Sequence, residues 1–145
     1  MKVNLQKVIE AITFADAETE YYYSTKTEKV LMLFDGMVDS IENPELIKNI
    51  QEGSIEDYIP LPGQRDINEY RIMEEFISEL PNAGNQNILD REIRGKGAFH
   101  RFKRKLHDLG LMQEWYRYRE EAFERIAIKW CERYKIGIEE MLIHG

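Results

Sequence analysis

The chain has 145 residues, of which 43% are hydrophobic and 32% charged, and its formal net charge is −7. That length and composition fit one globular domain and exclude a disordered chain. The longest aliphatic and aromatic run, residues 30–34, is far below the ~20 residues that span a bilayer, and no signal peptide is expected after Met1. A single cysteine, Cys131, excludes an internal disulfide and suits a reducing cytoplasm.

Asn4 is placed to cap a first helix, carried by Leu5, Val8, Ile9 and Ile12 and fading between Phe14 and Ala17. Tyr21 to Tyr23 and Val30 to Phe34 predict two strands, joined through Ser24 to Lys29, a connection without glycine to supply a positive φ. In a strand the three tyrosines alternate, giving one core side and one exposed side. The stretch from Gly36 to Gly53 is the least legible, although Pro44 at a first helical position suits a short helix over residues 45–51. Proline restriction keeps residues 57–63 extended, as an edge strand would be.

Asp66 followed by Glu69 has the spacing of a capping box, opening a helix through Ile72, Met73, Phe76, Ile77 and Leu80 that Pro81 ends. A shorter helix is expected over residues 85–94, stopped by Gly95. Another should run from Ala98 to Leu109 with Phe99, Phe102, Leu106 and Leu109 on one stripe and Gly110 as its left-handed terminator. Met112 to Tyr134 predicts the longest helix, and residues 136–143 a short closing strand or helix. Helices packed on a small antiparallel N-terminal hairpin or sheet make this a mainly helical α+β fold, with residues 1–145 as a single domain.

The charge is lopsided. Between Arg91 and His107 seven bases meet one acid, a formal +6, which leaves −13 for the rest of the chain. Such a stripe offers a local landing site to nucleic acid, to an acidic partner protein or to the chain's own acidic surface. Arg94-Gly95-Lys96-Gly97 stands directly before the Ala98 helix, whose first N–H groups and dipole favour an anion. Arg94, Lys96, Arg101, Lys103 and Arg104 are therefore candidate anion-binding residues. On a helical wheel Arg101 and Arg104 lie opposite the apolar stripe, Lys103 and Lys105 flank it, and Asp108 stands four residues beyond Arg104. Equally, the glycines can end one helix and start the next, with the cations forming a solvated face.

On the long helix, Met112, Trp115, Tyr116, Ala122, Phe123, Ile126, Ala127, Trp130 and Tyr134 form a broad stripe with Arg119 near its middle. A buried guanidinium needs a partner, and Glu69, inside the stripe of the Asp66 helix, is the first candidate for a buried ion pair. A ligand-facing arginine in a cleft with Glu69 and Tyr70 is the other possibility. His100 and His107 stand two turns apart, too far to share a zinc ion, and His144 is near the end of the chain; no metal or cofactor is expected. Cys131 beside Trp130 reads as a buried, inert thiol, and the adjacent acid pairs Glu74/Glu75 and Glu139/Glu140 as surface charge. No catalytic residue is identified.

Three blocks carry a resemblance. Residues 66–76, Asp-Ile-Asn-Glu-Tyr-Arg-Ile-Met-Glu-Glu-Phe, are the first. Arg94-Gly95-Lys96-Gly97-Ala98-Phe99 with Arg101-Phe102-Lys103 is the second. Leu109-Gly110-Leu111 with Trp115, Tyr116, Arg119, Glu121 and Ala122 is the third. In this order they resemble Uncharacterised Protein Family 0158, a group of small bacterial proteins, with a weaker match over the first helix and the tyrosine hairpin. The resemblance implies a shared fold and a bacterial cytoplasmic setting, and carries no activity or catalytic residues. The chain departs from the family pattern in the hairpin connection, which lacks the usual Asp and Gly, and at His100, where another base is expected. Together these readings favour a non-enzymatic binding or regulatory module whose basic helix contacts an anionic partner. A protein–protein adaptor or homo-oligomeric structural protein, and a small enzyme with a cleft around Glu69, Tyr70 and Arg119, are the alternatives.

Overall fold

The computed structural model describes residues 1–54, 56–63 and 66–139. In chain order these form β1 (Lys2–Val3), α1 (Leu5–Phe14), β2 (Glu20–Ser24), β3 (Lys29–Phe34), β4 (Met37–Val38), β5 (Ile41–Glu42), α2 (Pro44–Glu52) and β6 (Tyr58–Pro60). They continue as α3 (Glu69–Ser78), α4 (Ala83–Glu92), α5 (Ala98–Leu109), α6 (Met112–Arg133) and β7 (Gly137–Ile138). The fold is α+β and mainly helical. The chain gathers into two compact units, one of Met1–Ile67 with the residues from Phe123 onward, the other of Asn68–Ala122.

The first unit is built on an antiparallel sheet of order β5-β4-β3-β2-β6. Tyr22 pairs with Leu31 and Tyr23 with Val30, so the tyrosine hairpin has the register its alternation demands. It closes without glycine because Glu28 itself takes the left-handed conformation, φ 57°, and its N–H donates to the Ser24 carbonyl. The expected exposed side of the tyrosine strand is absent. On one face Leu31, Leu33 and Val38 pack with Tyr22 under Leu46, Ile47 and Ile50 of α2; on the other Tyr23 meets Trp130 edge-on at 6.1 Å. β2 is an interior strand because β6 adds to its free edge, with Tyr23 opposite Ile59. β6 is the edge, as its proline predicts.

The illegible stretch resolves into two two-residue strands and α2. Asp39 and Ser40 both adopt positive φ, and Asp39 exchanges hydrogen bonds with Met32, its N–H donating to the carbonyl and its carboxylate accepting from the N–H. Asn43 caps α2 by accepting from the Leu46 N–H. Asn4 caps α1 in the same way through Lys7. A parallel pair that the sequence does not announce joins β1 to β7, Lys2 opposite Gly137 and Val3 opposite Ile138. The expected closing segment is thus a strand over Gly137–Ile138; residues 140–143 and His144 lie outside the described residues.

In the second unit, α3 starts two residues later than the Asp66 capping box implies. Asn68 is the cap, accepting from the Arg71 N–H, while the Asp66 carboxylate accepts from the Gly63 N–H. α4 is displaced two residues toward the N-terminus from its expected span because Asn82, not a residue near 85, caps it. α5 has its expected bounds, and Gly110 at φ 71° ends it. Leu111 then donates to Leu106, closing a Schellman turn. The core is an aromatic cluster. Trp115 stands edge-on to Phe76 (5.4 Å) and Phe102 (4.9 Å), and Phe76 also meets Tyr118. Two expected stripe members, Phe99 and Tyr116, are exposed instead.

Two buried groups in the first unit make its stability sensitive to alkali. Tyr23 donates its hydroxyl to the Lys2 carbonyl, and burial pushes the phenol up to about 12; burial likewise pushes the Cys131 thiol up to about 11. Both are neutral when folded and ionise more readily when unfolded, near 10 and 9, so their contribution is complete below pH ~9 and is lost as pH rises through 11 to 12. The urea midpoint is expected to hold steady between pH 7 and 8.5, fall above pH 9, and fall less steeply in Tyr23→Phe. An equal midpoint at pH 8 and pH 10.5 contradicts this assignment.

Candidate functional site

The basic segment begins where α4 ends. Gly95 (φ 80°) and Gly97 (φ 75°) allow a turn that ordinary side chains resist, and Gly97 opens α5 without a side-chain cap. The turn is closed by Arg101. Its Nε donates to the Glu92 carbonyl at 3.0 Å, and its two terminal nitrogens donate to the carbonyls of Arg94 and Lys96. The Glu92 carboxylate lies 3.8 Å from the same Nε. Carbonyls left over at a helix C-terminus attract a cation, so the guanidinium acts as a terminal cap for α4 supplied by the next helix. This corrects the expectation for Arg101: it belongs to the basic segment, but its donors are turned inward onto backbone and do not join an exposed anion-binding set.

The other four candidates remain on the surface. Arg94, Lys96, Lys103 and Arg104 are all exposed, and among the described residues no ion pair within 4.0 Å engages them. The expected Arg104–Asp108 pair does not form at that distance; Asp108 stands 3.9 Å from the His107 ring instead. On α5 the buried face is Ala98, Phe102 and Leu106. Opposite it, His100, Lys103, Arg104 and His107 follow the i, i+3, i+4, i+7 spacing of a single helical stripe, and all four are exposed. Sequence reasoning places Arg104 opposite the apolar stripe and Lys103 at its flank, and does not group the histidines with them, although the same angular spacing reveals all four. It also assigned Phe99 to the core. Phe99 is 40% exposed, at the border of the buried face and one turn before Lys103.

A small cavity of about 120 Å³ lies among Glu92, Arg101, Arg104, Lys105 and Asp108, whose mixed charges select no ion.

Arg119 and Glu69 are brought together. Arg119 Nη2 donates to Glu69 Oε1 at 2.8 Å, but with side chains 25% and 35% exposed the pair is partly open to water and is not the fully buried pair expected. Tyr70, the third residue of the suggested cleft, donates its hydroxyl to the Ile93 carbonyl at 2.9 Å. Its phenol is thus an anchor tying the start of α3 to the end of α4.

In the first unit a larger open cleft of about 550 Å³ is lined by Asp16, Glu20, Tyr21, Tyr22, Pro60 and Asp66 among others. Its carboxylates are engaged locally. Asp16 accepts from the N–H groups of Glu18 and Thr19, which hold its carboxyl below the usual range; Glu20 accepts from the Tyr22 hydroxyl and Asp66 from Gly63. Among the described residues no three His, Cys, Asp or Glu side chains group as a metal site, and no helix is long and apolar enough to cross a membrane.

No curated protein and no solved structure matches this chain. A family model matches residues 1–141, which takes in the tyrosine hairpin, the glycine turn, α5 and α6 alike. The chain therefore belongs to the Uncharacterised protein family (UPF0158).

Proposed function

We propose that this protein is a binding module that holds an anionic partner on the exposed face of α5 and on the turn preceding it. The observation that carries the reading is the set Arg94, Lys96, Lys103 and Arg104: four exposed cations without an ion-pair partner among the described residues, in a chain of net charge −7. An acidic protein that keeps uncompensated cations on one face has a local attraction for anions that its overall charge opposes. Glu69 pairs with Arg119 and the Tyr70 hydroxyl is held by the Ile93 carbonyl, so each of the three has a partner within the fold, which supports a binding reading over an enzyme cleft there. A bacterial cytoplasm fits the reading, with a lone buried thiol and a resemblance to small bacterial proteins.

The test is binding to labelled inorganic polyphosphate at ~50 and ~200 mM salt, beside Lys103→Gln/Arg104→Gln. Affinity is expected to fall with salt and the salt slope to become shallower in the double variant, because fewer counterions are released per complex. Equal slopes in the two proteins overturn the assignment of this face, and no binding of any polyanion at ~50 mM overturns the reading altogether.

A further inference from the structure

We infer that the anion taken by the α5 face is single-stranded nucleic acid, an inference that rests on the binding reading above and adds the chemistry of the ligand. Cations alone describe any polyanion. What singles out this face is an exposed ring among them: Phe99 is followed at one helical turn by Lys103 and preceded by Lys96 and Arg94. Residues four apart on a helix have their Cβ atoms roughly 5–6 Å apart, so the Phe99 ring and the Lys103 ammonium address the same neighbourhood.

A base stacked on the ring leaves its phosphate within reach of the lysine. That pairing of a stacking surface with backbone charge is how proteins hold single strands without reading sequence. The stripe beside it, His100, Lys103, Arg104 and His107, adds exposed basic side chains that can follow a phosphate backbone. A duplex is a poorer fit, because its base faces are stacked inside and an exposed phenyl ring finds no partner there. An acidic protein surface supplies charge, but not the regular alternation of flat base and phosphate that a single strand carries.

The experiment is fluorescence anisotropy with a short labelled oligouridylate, the same strand annealed to oligoadenylate, and unlabelled inorganic polyphosphate as competitor. Wild type, Phe99→Leu, Phe99→Trp and Lys103→Gln/Arg104→Gln are compared, each first checked for native circular dichroism. Phe99→Leu keeps an apolar side chain and removes the ring. It is expected to weaken single-strand binding at least about fivefold with the salt slope unchanged, since each stacked base contributes roughly that much or more. Phe99→Trp should bind as tightly as wild type or tighter. The double variant should instead lose salt slope, by about 1.4 for two single-strand phosphate contacts.

Phe99→Leu binding like wild type, or duplex and polyphosphate binding as tightly as the single strand, overturns the inference and leaves the face a bare electrostatic surface. Failure of every polyanion to bind overturns the broader reading with it, and the search then moves to protein partners.

Discussion

Trp115→Ala is expected to destabilise the second unit by about 3–5 kcal/mol, the range for removing a fully enclosed aromatic side chain. Trp115 is 2% exposed and is the hub of the aromatic cluster, edge-on to both Phe76 and Phe102. The sharper test is the conservative change. The indole N–H of Trp115 is buried without a hydrogen-bond partner among the described residues, a donor removed from water with no return. Trp115→Phe deletes that donor together with part of the ring, so two terms of opposite sign offset each other. Trp130→Phe has no such offset. Its indole N–H donates to the Pro60 carbonyl at 2.9 Å, and losing that bond costs about 0.5–1.5 kcal/mol in addition to the lost packing. Urea unfolding of the two Phe variants should therefore rank Trp130→Phe as the more damaging. Hydrogen exchange should place the Trp115→Ala loss within residues 68–122. The reverse ranking means that the Trp115 N–H is satisfied in solution.

The elements that were legible from sequence are those whose signals lie within one or two turns of chain. Asn4 before an apolar 3.6-residue repeat, Pro44 at a helix start and Gly110 after Leu109 each act on their own neighbours, and the helices they bound are where the residues say. Errors arose where two local signals compete. Asp66 and Asn68 both precede α3, and Asp66 lost the cap because the Gly63 N–H captured its carboxylate. Periodicity also misleads on α6: at about 100° per residue Tyr116 lies about 40° and Tyr118 about 120° from the middle of the apolar stripe, yet Tyr118 is the one packed on Phe76 and Tyr116 is exposed.

What was invisible depends on distant partners. β1 and β7 are two residues each and exist because residues 2–3 meet residues 137–138. β4 and β5 hang on positive φ at Asp39 and Ser40, which few sequences predict outside glycine. The division into two units is equally unannounced, since one of its boundaries falls between Ala122 and Phe123 in the middle of the continuous helix α6. The candidate face was found by charge alone, and its ring was misplaced because Phe99 fits the border of an apolar stripe as well as it fits a surface.

Arg101 is where a charge-based reading and the structure diverge most, and the divergence is measurable. If Arg101 were one more surface cation, Arg101→Ala would change stability by no more than about 0.5 kcal/mol, as Arg104→Ala is expected to do. Its guanidinium instead donates to three carbonyls, those of Glu92, Arg94 and Lys96, at the end of α4. Hydrogen bonds to a charged group contribute roughly 1.5–3 kcal/mol each when enclosed, and partial exposure lets water replace some of that. A loss of about 2 kcal/mol is therefore expected for Arg101→Ala. Arg101→Lys should recover little of it, because a single ammonium cannot reproduce a planar fork that reaches three carbonyls at once. The turn it closes carries Arg94 and Lys96, so either variant should also weaken polyanion binding by releasing those two side chains from a fixed position. Lys103→Gln/Arg104→Gln should weaken binding with stability intact. Thermal unfolding that separates Arg101 variants from Arg104 variants establishes the guanidinium as the latch of the α4–α5 turn. Equal stability of Arg101→Ala and wild type returns Arg101 to the surface set and makes all five candidate bases equivalent contacts.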